Sequence, residues 1–106
     1  MATNTFKRAV NANIGSVLET VHTATTTTVV IGLTLSNVTG SSITASVQLV
    51  TGTESPYIIK NIPIPTGSSV EIMGGNKTVL HSGDIVKVSG SAATSVDATI
   101  SYMEIT

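Results

Sequence analysis

The chain has no cysteine and no tryptophan among its 106 residues, and its aromatics are only Phe6, Tyr57 and Tyr102. Without cysteine there is no disulfide framework, no thiolate nucleophile and no thiolate-ligated metal. Sugar-binding faces and single-stranded nucleic-acid platforms lean on stacked aromatics, so both uses are poorly supplied. Charge is scarce as well. Five Lys and Arg stand against six Asp and Glu, 10% of the chain together, where about a quarter is usual. A formal net charge of −1 lacks the basic footprint of a nucleic-acid binder. No apolar run reaches the roughly 18 residues of a membrane span, and the opening MATNTFKRAV lacks the apolar stretch of a secretory signal.

What is present is Val, Ile and Thr. β-Branched side chains lose χ1 freedom in a helix and pack well on a pleated surface. Residues 28–36 (TVVIGLTLS) place Ile31, Leu33 and Leu35 on one face. Residues 43–49 (ITASVQL) do so with Ile43, Ala45, Val47 and Leu49, and residues 96–102 (VDATISY) with Val96, Ala98, Ile100 and Tyr102. This is the period of a half-buried strand. Turn-forming clusters separate the segments at 37–42, 51–56, 65–69, 74–76, 81–84 and 90–95. Strands are predicted near 5–10, 17–23, 28–36, 42–51, 57–62, 69–73, 77–80, 84–89 and 96–105, with the pair 69–73 and 77–80 forming a hairpin over Gly74-Gly75-Asn76. Pro63 and Pro65 cannot donate to a ladder, which puts NIPIP at an edge or in a crossing between sheets.

The expected fold is all-β: a single antiparallel β-sandwich, jelly-roll-like or immunoglobulin-like, of about eight short strands around an Ile/Val/Leu core. Ile31, Leu33, Val47, Leu49, Val88 and Ile100 are its predicted inward residues. Residues 13–106 form the sandwich domain. Residues 1–12 read either as an N-terminal arm or as a first strand. Phe6 beside Lys7-Arg8, the one adjacent cationic pair, makes Phe6, Lys7 and Arg8 the candidate partner interface, with the aromatic filling a neighbour's pocket and the cations meeting acidic groups at its rim.

Candidate chemistry is thin. His81, Ser82 and Asp84 carry the letters of a hydrolytic triad, but a triad is a spatial arrangement, and Ser, Gly and Asp are ordinary turn formers. No G-x-S-x-G elbow surrounds Ser82. His22 and His81 are the only imidazoles, and neither sits in a ligand-spaced cluster. The carboxylates Glu19, Glu54, Glu71, Asp84, Asp97 and Glu104 are scattered. Asn37-Val38-Thr39 and Asn76-Lys77-Thr78 fit the glycosylation sequon, which chance supplies readily in a Thr-rich chain. The expectation is a protein that is not an enzyme, with no cofactor, no metal and no small-molecule substrate.

The series TTTTVVIGLTLSNVTGSSITASVQLV, followed by YIIKNIPIPTGSSVEIMGGNKTVLHSGDIVKVSGSAATSVDATISYMEI, resembles small virion structural proteins of tailed bacteriophages, in particular marine cyanobacterial ones. The resemblance spans roughly residues 25–105 and brings no catalytic residue with it. It implies an all-β virion component: a capsid-decoration or cement protein, or else a neck, tail or baseplate adaptor. Its partners would be the major capsid protein or neck and tail proteins, with homo-oligomerisation expected and nucleic acid and membrane not. The low charge is compatible with burial among neighbours, because interface cores are poor in charged residues. A host-glycan adhesion module is the alternative from another class.

Overall fold

The period-two segments become strands almost where they lie in the chain. The computed structural model describes residues 3–73 and 77–105. It contains β1 (Asn4–Ile14), β2 (Glu19–Thr23), β3 (Thr27–Asn37), β4 (Ile43–Val50), β5 (Tyr57–Ile64), β6 (Ser69–Glu71), β7 (Thr78–Leu80), β8 (Ile85–Gly90) and β9 (Val96–Ile105). No helix occurs among the described residues. One sheet runs β1-β9-β3-β6, with β7 also beside β3; the other runs β2-β8-β4-β5.

All of the pairings are antiparallel, and five of them are nested: β4 with β5, β3 with β6 and with β7, β2 with β8, and β1 with β9. A chain laid out as one long hairpin closing between β4 and β5, then rolled so that its arms divide between two layers, produces this order. That is the jelly roll. It is not the immunoglobulin arrangement, whose sheets group strands ABED and CFG. β6 and β7 do not form the expected hairpin. Both pair with β3, at Thr34–Ser36 and Thr28–Val30 respectively, so they act as two pieces of one edge. The predicted turn at 74–76 lies outside the described residues.

β9 shows the clearest alternation. Val96, Ala98, Ile100, Tyr102 and Glu104 are buried, and the intervening residues are exposed or half-buried. Leu33, Val47, Val88 and Ile100 are fully buried, as predicted. Two expected core residues are not. Leu49 is half-buried at the margin of the core, where the β4–β5 register slips between Val47 and Gln48. Ile31 is 37% exposed, because the β3–β9 register shifts between Val30 and Gly32. The β-bulge adds one residue to β3, so Thr28 and Val30 face inward before it and Leu33 and Leu35 after it. Gly32 permits this. A Cβ there would stand 2.7 Å from Glu71 Oε1, and Glu71 Oε2 accepts the Leu33 N–H at 3.0 Å.

A second irregularity sits in β5, the edge strand that carries Pro63. Asn61 takes φ 54°, and its N–H donates to the Oγ of buried Ser46 at 2.9 Å. Asn37, the first sequon residue, is buried. Its amide donates to Ser41 O and Ile64 O at 2.8 and 2.9 Å, and its Oδ1 accepts the Thr39 N–H at 2.8 Å. It is a loop clamp with no free amide for a glycan. Asn76 of the other sequon lies outside the described residues.

Candidate functional site

The HSGD segment is a docked turn. Asp84 N–H donates to His81 O at 3.0 Å, and the Asp84 carboxylate accepts the His81 N–H at 3.0 Å. Gly83, at φ 96°, donates its N–H to Ala24 O at 2.7 Å, Ala24 N–H returns a bond to Asp84 O at 2.8 Å, and Ser82 Oγ donates to Thr25 O at 3.2 Å. The carboxylate and the hydroxyl are therefore both spent on backbone, and the exposed His81 ring is bonded to neither.

The second place where titratable groups gather is the open end of the sandwich, near the start of β1. Alternation along β1 sends Lys7 towards the inner side opposite Tyr102, and Thr5 opposite Glu104. The Lys7 ammonium reaches Glu104 Oε1 at 2.8 Å, the only ion pair among the described residues. Its pKa is raised above the ordinary 10.5, first by the hydrogen bond to Glu104 and then by that carboxylate's charge. From the other sheet the His22 ring lies on Tyr102, with centroids 4.0 Å apart and planes at 33°. His22 Nε2 is buried without a hydrogen-bond partner. Burial pushes the imidazole below its ordinary 6.5; Glu104 opposes this and Lys7 adds to it. A neutral ring wedged on a tyrosine in this way joins the two sheets. Among the described residues, no group of three or more His, Asp or Glu is placed to hold a metal ion.

The notable surface is the outer side of the β1-β9-β3-β6 sheet. Residues directly opposite on antiparallel strands share a face. Phe6 pairs with Met103, Met103 with Val29, and Val29 with Val79. Met103 alternates with buried neighbours, so all four point outward. An apolar row therefore crosses the whole sheet, roughly 15 Å at the usual strand spacing. Its ends are the most open: Phe6 is 73% exposed and Val79 52%. Beside the row lies an open depression of about 480 Å³ lined by Phe6, Lys7, Arg8, Ile31, Ser101 and Tyr102. The β3 bulge that removes Ile31 from the core delivers it to this depression. Phe6 and Arg8 thus stand on the outer face, while Lys7 is tied to Glu104. β1 is paired along the sheet edge like a strand, yet its aromatic stays outside the core.

Two solved structures share this architecture. A chain from the disulfide-linked pili of Bacillus endospore appendages aligns over 98% of this chain and 89% of its own length, with a TM-score of 0.62 and 15% identity. A chain from infectious bursal disease virus, Gx strain, aligns over 98% of this chain at a TM-score of 0.54 and 9% identity. The present chain spans a third of that virus chain, 33% of its length. The likeness is one of fold. No family model matches the chain, and no curated protein does.

The row and the depression escape sequence reading for a physical reason. Phe6 and Met103 lie almost a hundred residues apart along the chain, and only the nested β1–β9 pairing makes them neighbours. The signal available beforehand was the out-of-phase Met103 between Tyr102 and Glu104, an apolar residue on the face opposite the core.

Proposed function

We propose that this chain is a virion structural protein of a tailed phage that decorates or cements the head, seating the outer face of the β1-β9-β3-β6 sheet on the capsid protein. One observation carries the reading: a continuous apolar row and its adjoining depression lie on the solvent side of a sheet whose inner side already supplies the core. Rows of this kind mark interaction sites on otherwise polar surfaces. The low charge of the chain fits a surface that is covered in the particle.

The fold relatives support an assembly role in general terms, since one is a pilus chain and the other belongs to a virus. The disulfide linkage named for the pili has no counterpart here, because the chain has no cysteine; its assembly is non-covalent in that respect. No catalytic role is proposed, as the Asp84 carboxylate and the Ser82 hydroxyl are committed to backbone hydrogen bonds away from the His81 ring. Mass spectrometry of separated heads and tails tests the placement. The chain is expected in the head fraction at a fixed ratio to the capsid protein. Recovery only with tails would move the site to the neck or tail, and absence from particles would remove the proposal.

A further inference from the structure

We infer that the two edges of the β1-β9-β3-β6 sheet pair with each other between copies of this chain, β1 of one copy adding to the β6/β7 edge of the next. The inference rests on the reading of the chain as an assembly protein, but it concerns the edges of the sheet, where Phe6 and Val79 end the row that runs across the face proposed to sit on the capsid.

Strand direction permits this pairing. Every pairing in this sheet is antiparallel, and the path from β1 to β6 has four strands. In such a sheet β1 and β6 run in opposite directions. A second copy moved sideways without turning over therefore brings its β1 antiparallel to the first copy's β6 and β7. Extension by edge pairing needs no rearrangement of either copy.

The register of that sideways step favours it. The row Phe6–Met103–Val29–Val79 lies at one level of the sheet, so Val79 of one copy meets Phe6 of the next. These are the two exposed ends of the row. Joining them converts two open apolar termini into one cross-strand aromatic and β-branched pair, a favourable combination. Beyond the level Arg8–Ser101–Gly32, the same face reads Val10–Thr99–Thr34–Glu71. The step therefore places Val10 opposite Glu71 and Arg8 as its diagonal neighbour, within reach of a long side chain. Arg8 has no ion pair among the described residues. Glu71 is exposed, and only its Oε2 is engaged, by Leu33 N–H.

The simpler symmetric contact is disfavoured in two of its registers. An antiparallel β1–β1 pairing that sets Phe6 against Val10 sets Arg8 against Arg8, and one that sets Phe6 against Arg8 sets Lys7 against Lys7. Like charges directly opposite are destabilising. The irregular backbone of β1 also leaves the contact intact, because its register shift falls after Asn11 and Asn4–Asn11 stay in regular pairing with β9. A head-to-tail contact of this kind repeats. With sheet twist it closes into a ring or continues as a helical filament.

The test uses the purified full chain and sedimentation velocity. The wild type should form species larger than the monomer, increasing with concentration. Phe6→Glu alone and Val79→Lys alone should each run as monomers with unchanged thermal unfolding, since both side chains are exposed. Mixing the two variants should restore assembly, because Glu at 6 then faces Lys at 79 and the remaining Phe6–Val79 contact is native. Arg8→Glu should weaken wild-type assembly, and adding Glu71→Arg in the same chain should recover it. A wild type that stays monomeric at all soluble concentrations overturns the inference. So does a mixture of variants that stays monomeric although both are folded. A monomeric protein that still enters particles would overturn this inference while leaving the head-decoration reading in place.

Discussion

Leu33→Ala and Ile31→Ala form a pair that interrogates the β3 bulge. The residues are two apart, so unbroken alternation would bury both. In the structure Leu33 is fully buried opposite Ile100, while Ile31 is 37% exposed on the outer face. Truncating Leu33 removes a side chain enclosed between the sheets and leaves a cavity, which costs about 2–5 kcal/mol. A domain of this size holds only about 5–15 kcal/mol in total. At about 4–8 °C per kcal/mol, the melting temperature should fall by roughly 8 °C or more, and a loss at the upper end would leave much of the protein unfolded. Truncating Ile31 opens no enclosed cavity and forfeits only partial burial, about 1 kcal/mol. Urea unfolding of both variants, with unchanged m-values, measures the contrast. Equal losses would place Ile31 inside beside Leu33 and refute the bulge, and with it the depression on the outer face.

Three further outcomes follow from the polar contacts. His22 has a folded pKa below 6.5, so the unfolded chain binds more protons below that value; stability should be complete above pH 6.5 and decline as pH falls through it towards the folded pKa, and His22→Phe should flatten that decline in thermal melts at stepped pH. Lys7 has a folded pKa above 10.5, so its contribution should persist below pH 10.5 and vanish as pH climbs through the higher folded value, a loss that Lys7→Met should not show. Asp84→Ala removes the acceptor of the His81 N–H and should cost about 1 kcal/mol in denaturant unfolding, whereas His81→Ala should leave the midpoint unchanged; the reverse order would show that the turn is not held by Asp84.

Much of the architecture was legible because β-structure of this kind writes a period of two into its sequence. β9 can be read residue by residue from VDATISYMEI, and Pro63 marks β5 as an edge. The failures cluster where backbone geometry departs from the period. At Ile31 the bulge inverts the face of every later residue in β3, and the cue was only Gly32, one glycine among nine. The β6–β7 hairpin was predicted from local turn chemistry, but two short segments gain more ladder by both joining the long β3 than by pairing with each other. The candidate surface was half legible. Phe6, Lys7 and Arg8 stand out by composition, yet the division of labour among them is set by parity against β9, with Lys7 turned to Glu104 and Phe6 and Arg8 turned out. The His22–Tyr102 contact joins residues of different sheets and had no local signature.

The outer face of this sheet, around Ile31 and Ser101, is the surface proposed to carry the protein into a particle. The direct measurement is binding of purified protein to phage particles assembled without it, comparing the wild type with the Ile31→Glu/Ser101→Glu variant. Both substitutions lie on the outer face in the depression that Phe6 and Arg8 also line, so sedimentation of the variant beside the wild type separates lost docking from lost self-pairing. Binding by the wild type should be saturable and should be lost in the variant, with the two proteins unfolding at similar temperatures. Equal binding by a folded variant would contradict the proposal.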